Sequence, residues 1–108
     1  MTVRDLLNKV ARLMGDSVNF TVSDSDIERV NEIGEDLCDF TEVTSEYSQI
    51  DSPKKVLEAF PYGVAMLTAF ARNESEAQEF FCGIYNAKRA AAKCGKAAVT
   101  DVLPKAVN

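Results

Sequence analysis

The residues of this chain that could do chemistry are carboxylates, lysines and thiols, and spacing decides what each could do. Glu32 with Glu35, and Asp36 with Asp39, stand three apart, which puts each pair on one face of a helix, as a shared proton would require. No apolar cleft surrounds either pair to raise a pKa, so they read as a solvated face and not as an acid–base dyad. Within "DSDIERVNEIGE", Asp24, Asp26, Glu28 and Glu35 occupy positions 1, 3, 5 and 12 of a calcium loop. Its glycine position is held by Arg29 and its later apolar position by Asn31, so the stretch reads as a capped amphipathic helix and no metal is assigned. Cys38, Cys82 and Cys94 lack C-x-x-C spacing and fall on apolar helix faces, as buried free thiols do. The chain has no histidine, which rules out Ser–His and Cys–His nucleophile pairs and histidine metal ligands. It also has no Gly-rich phosphate loop and no nucleophile elbow. The expectation is therefore a protein that is not an enzyme and carries no cofactor.

One cluster remains. Lys88, Arg89, Lys93 and Lys96 form a basic stretch free of acids, suited to a neighbouring subunit or to DNA phosphates. The same charges also suit the C-terminal end of a helix, where they interact favourably with its dipole.

These groups need elements to hold them, and the apolar periodicity predicts helices. In "TVRDLLNKVARLMGD" Val3, Leu6, Leu7, Val10, Leu13 and Met14 recur at threes and fours, with Thr2 and Asp5 as a capping pair and Gly15 as the stop. "DSVNFTVSD" reads as a connection in which Phe20 and Val22 tuck onto the core. A second helix starts at the Ser23 cap, with Asp26 three on, and carries Ile27, Val30, Ile33, Leu37, Cys38 and Phe40 on one side. Gly34 inside it predicts a close helix crossing or a bend. "TEVTSEYSQID" reads as a loop or short extended segment. Ser52 and Pro53 then predict an N-cap and first helical residue, and Pro61 a kink or a new start at Tyr62. Ser75 and Gln78 stand in capping-box spacing. The last helix carries Ala77, Phe80, Phe81, Ile84, Tyr85, Ala91 and Cys94 as its buried stripe and stops at Gly95. The run from Asp51 to Gly95 is thus a helical hairpin whose outer surface is left for contacts. "KAAVTDVLPKAVN" reads as an extended tail, with Pro104 opposing further helix, and Val99, Val102, Leu103 and Pro104 as its candidate contacts to a neighbour.

The fold class is accordingly all-α: one small bundle of four to five helices over residues 1–95, with an extended tail over 96–108. The 108 residues suffice for one core. Hydrophobic residues make up 46% and charged residues 27%, values of a folding, soluble chain. No apolar run is long enough for a membrane span or secretory signal, so a cytosolic origin and no membrane partner are expected. Charge divides unevenly. Met1 to Asp51 holds 4 basic and 12 acidic residues, a net of −8, while Ser52 to Asn108 holds 8 basic and 5 acidic, a net of +3. Such halves suit a head-to-tail contact between copies, or else leave a solvated acidic face.

The order of "TVRDLLNKVARLMGD", "FTVSDSDIERVNEIGEDLCDF" and "DSPKKVLEAFPYGVAMLTAFARNESEAQEFFCGIYNAKRAA" resembles the small head–tail adaptor (connector, or head completion) proteins of tailed bacteriophages. The features that carry it are Phe20, Ser23 to Ile27, Asn31, Pro53, Tyr62 to Arg72, Asn73 to Glu76, and Phe81 with Tyr85, and together they span most of the chain. The resemblance implies a structural virion protein of the neck, made in the host bacterial cytoplasm. It would dock beneath the portal as a ring, commonly of twelve copies, contact tail or further neck proteins, and pass DNA through its lumen without reading sequence. In that family a C-terminal segment often grips the portal or the next ring, which points to Lys96 to Asn108. A small DNA-binding regulator is the rival from another class. The candidate recognition helix, Asp24 to Phe40, carries one Arg against many acids and suits the major groove poorly. A helical protein-interaction module is the general alternative.

Overall fold

The computed structural model describes residues 1–97, with side chains to residue 93. Four helices are present among the described residues: α1 (Val3–Leu13), α2 (Asp24–Leu37), α3 (Lys54–Ala71) and α4 (Ser75–Ala97). The all-α bundle expected from the periodicity is the fold observed. Residues 98–108, including the tail contacts Val99, Val102, Leu103 and Pro104, lie outside the described residues.

Local chemistry sets the helix starts. The Thr2 hydroxyl accepts from the Asp5 N–H and the Asp5 carboxylate accepts from the Thr2 N–H, both at 3.1 Å. Ser23 and Asp26 repeat this reciprocal cap at the start of α2. Gly15 follows α1 at φ +75°, a conformation that an L side chain strains to adopt. Phe20 and Val22 do pack on the core from the connection. Arg4 anchors that connection by donating to the carbonyls of Phe20 and Val18, both at 2.8 Å.

Helix α2 ends at Leu37, short of the expected Phe40, because the backbone turns extended at Cys38. The Phe40 ring folds back over Gly34, where any β-carbon would overlap it. Gly34 thus admits a ring from its own chain, and the close helix crossing lies elsewhere. It is at Gly63 of α3, where a β-carbon would stand 2.7 Å from the Tyr85 ring of α4 and 2.8 Å from Ile33 of α2.

Helix α3 overturns the expected break at Pro61. It runs unbroken from Lys54 to Ala71 with Pro61 inside it and buried, and its N-cap is Pro53, one residue later than Ser52. An interior proline removes one backbone hydrogen bond and costs about 3 kcal/mol. Burial of Val56, Ala59, Phe60, Val64, Ala65 and Ala69 on the same helix outweighs that, at roughly 1.5–3 kcal/mol for each large apolar side chain. Local propensity therefore yields to packing.

Helix α4 begins with Ser75 as its first residue; the Gln78 N–H bonds the Glu74 carbonyl, so the cap position falls on Glu74. The helix passes through the expected stop at Gly95 and includes Lys96. Its buried stripe is narrower than predicted. Phe81, Tyr85 and Ala92 are buried, Ile84 is half-buried, Ala91 is exposed and Phe80 is 64% exposed. Cys38 and Cys82 are free and half-buried, not fully buried.

The connection from Cys38 to Pro53 is irregular but tied at both ends. The Asn31 side-chain amide donates to the Val43 carbonyl at 3.0 Å and accepts from its N–H at 2.7 Å, seating buried Val43 beside α2. The Val3 N–H donates to the Ser48 carbonyl, and the Ile50 N–H to that of Met1. α3 is central: it pairs antiparallel with α4 and carries α1 and α2 on its other flanks.

Candidate interaction surfaces

The basic cluster does not act as one patch. Arg89 is committed to α2: its Nε donates to Asp36 Oδ2 at 2.7 Å and its Nη2 to Oδ1 at 3.2 Å. The Tyr85 hydroxyl donates to the same carboxylate at 2.5 Å. Lys88 turns the other way, its Nζ 5.4 Å from the centre of the Tyr62 ring, within range of a cation–π contact. Lys93 is exposed, and the side chain of Lys96 lies outside the described residues. Of the four expected contact residues, one is thus an internal tie and two face different sides of α4.

No sequence spacing encodes the Asp36–Tyr85–Arg89 link, because Tyr85 and Arg89 stand 49 and 53 residues from Asp36. Partial desolvation pushes the Asp36 carboxyl up, but hydrogen bonds from Arg89 and Tyr85 and the guanidinium charge outweigh it and hold the group below its ordinary value. Burial, then the hydrogen bond to Asp36 and its charge, push the Tyr85 phenol up. A lowered carboxyl pKa means the folded state sheds its proton more readily than the unfolded chain. Its stabilisation is present above the unfolded value, about 3.9, and is lost as pH falls through the folded one. Asp36→Asn is expected to cost about 0.5–1 kcal/mol near pH 7, a modest figure because the pair is partly exposed. The difference from wild type should shrink as pH falls below about 4 in urea titrations; a gap that stays the same at about pH 7 and in acid would contradict the assignment.

α2 presents an acidic exterior. Asp24, Glu28, Glu32 and Glu35 are all exposed and recur at fours and threes along one side, while the helix's one basic residue, Arg29, is paired with Asp26 at 3.0 Å. The calcium-loop spacing noted in the sequence is therefore a helix face. Tyr47, 79% exposed, stands on the connection that Asn31 ties to this helix.

Two concave features lie on the described surface. One, of about 400 Å3, lies between α1, the connection after it and the end of α3, with Leu7, Val10 and Phe20 on its floor and the Arg72–Asp16 ion pair, 2.8 Å, at its rim. The hydrogen bond to Asp16 raises the Arg72 pKa, so its guanidinium is engaged. The other, of about 410 Å3, lies between α1 and α4 over α3. It is lined by Lys9 and Leu13, by Leu57, Glu58, Pro61 and Tyr62, and by Lys88. The backbone of α2 comes close to those of α1, α3 and α4, whereas the backbones of α1 and α4 stay apart among the described residues. At 100° per residue, Leu57 and Pro61 lie across α3 from Gly63, which receives Ile33 of α2. The second groove and the acidic helix thus occupy opposite sides of α3. No helix among the described residues is long and apolar enough to cross a membrane.

No protein-family model, curated protein or solved structure matches the chain.

Proposed function

We propose that this chain is a structural adaptor whose copies associate head to tail into a ring, in the manner of the phage head–tail adaptors it resembles. The observation that carries this reading is the polarity of the bundle: an exposed acidic face on α2 and a lysine-flanked groove on the far side of α3. Faces of opposite charge on opposite sides of a subunit favour heterologous contacts, which close into rings when the rotation permits. In this reading the ring docks on a portal, residues 96–108 contact the portal or a neighbouring ring, further neck or tail proteins bind beyond it, and DNA passes through the lumen. Lys93 and Lys96 are its candidate lumen charges, whereas Arg89 is engaged with Asp36 of α2 within the same subunit.

The test is the mass of the purified chain by light scattering at low and high salt, with and without an isolated portal ring. A species about twelve-fold the monomer mass, or a salt-sensitive series leading to it, is the expected result. A monomer in every condition, unchanged by the portal ring, would overturn the proposal and leave a general helical interaction module.

A further inference from the structure

The groove between α1 and α4 has the build of a receptor for an acidic, aromatic-bearing surface. Its floor, Leu57, Pro61 and Tyr62, is apolar or aromatic, Leu13 at its wall is 36% exposed, and Lys9 and Lys88 flank it with one carboxylate, Glu58, between them, so the rim keeps a net positive charge. Neither lysine is in an ion pair among the described residues. The chain itself carries the complementary surface. Glu28, Glu32 and Glu35 line the outer side of α2, and Tyr47, the most exposed of the large hydrophobic residues described, projects from the loop that Asn31 fastens to that helix. An amphipathic ring flanked by carboxylates is the kind of anchor that fills an apolar slot with a cationic rim.

We propose that the α1–α4 groove receives the Tyr47 loop and the acidic α2 face of a second copy of this chain. The Tyr47 ring fills the floor beside Tyr62, and the α2 carboxylates meet Lys9 and Lys88. Because α2 lies across α3 from the groove, a subunit cannot satisfy its own groove with that helix. Each copy gives its acidic face to one neighbour and its groove to another, and the contact repeats in one direction. The self-association is specific to this surface pair; its closure into a ring rests on the adaptor reading above.

A one-directional contact can be tested by complementation. Lys9→Glu/Lys88→Glu disables the groove and leaves the acidic face; Glu32→Ala/Tyr47→Ala disables the face and leaves the groove. All four side chains lie at the surface, and unchanged thermal unfolding by circular dichroism checks that each variant folds. In sedimentation velocity at low salt the wild type is expected to form a concentration-dependent series, weakened at least about tenfold by raised salt. Each variant alone should sediment as a monomer. Mixed in equal amounts, the two should give a single heterodimer and nothing larger, since one intact face meets one intact groove and the chain of contacts is then capped. Wild-type association in either variant, no heterodimer on mixing, or a wild type that stays monomeric would overturn the inference. Binding of the wild type to a portal ring in the same buffer separates this failure from that of the adaptor reading: binding with the groove variants fully active would sink the interface alone.

Discussion

Phe60→Ala is expected to remove about 3–5 kcal/mol of stability, the cost of emptying a fully buried aromatic site. Phe60 is the largest side chain with no exposure, and it sits at the middle of the helix against which the other three pack. Its ring lies 5.6 Å from that of Phe40, and Phe40 covers Gly34. Losing it therefore opens a cavity in α3 and also withdraws the platform that folds the chain back at the end of α2. A domain of this size has about 5–15 kcal/mol in total, so the variant should be near the limit of folding at about 37 °C. Urea unfolding in the cold measures the loss, and amide exchange should show the C-terminal turn of α2 opening first. Phe80→Ala is the matching control. Phe80 is 64% exposed, and a surface substitution there should stay within about 0.5 kcal/mol. Similar losses at the two sites would mean that the core is not centred on α3.

The contrast between these phenylalanines marks where the sequence stops being informative. Both belong to apolar helical runs, and periodicity puts Phe80 and Phe81 together in one stripe. A 23-residue helix against an 18-residue partner buries only the residues that face it, so of two adjacent aromatics one packs and one does not. The starts of α1 and α2 were legible because a reciprocal Ser/Thr–Asp cap is a local signal, complete within four residues. Pro61 misled for the same reason. A missing N–H is a local penalty, and the burial that outweighs it comes from residues distant in sequence. The basic cluster obeys this rule too. Lys88 to Lys96 is visible as a run of charge, but Asp36, which removes Arg89 from it, lies on another helix. Likewise the groove exists only because α1 and α4 fail to meet, and no spacing within either helix encodes that gap. The charge asymmetry of the halves is plain in the sequence; its division between opposite sides of α3 is not.

The orientation of α2 fixes that division, and one position controls it. Gly63→Ala should place a methyl group 2.7 Å from the Tyr85 ring and 2.8 Å from the Ile33 side chain, closer than such contacts settle. Neither neighbour is a flexible chain end. Both are buried, and the Tyr85 hydroxyl is held by Asp36. Overpacking of this kind costs about 1–3 kcal/mol, while alanine in a helix interior gains about 0.5–1 kcal/mol over glycine. Two contacts under 3 Å to buried side chains place the cost at the upper end of that range, so crowding wins and a net loss of up to about 2.5 kcal/mol is expected in urea unfolding. Gly83→Ala tests the other side of that balance. Gly83 is exposed on α4, and a β-carbon added there would meet nothing within 4 Å, so only the propensity gain remains and the variant should be more stable by up to about 1 kcal/mol. Opposite signs at two glycines, each inside a helix, would locate the three-helix junction by measurement. Adding Ile33→Val to Gly63→Ala removes one crowded methyl group, and the double variant should lose less than the sum of the two single losses. If α2 also sets the direction of self-association, Gly63→Ala should weaken the wild-type series in sedimentation at temperatures where the variant remains folded, whereas Gly83→Ala should leave it intact. A stable Gly63→Ala with unchanged association would show that α2 can move on α3 without disturbing either face.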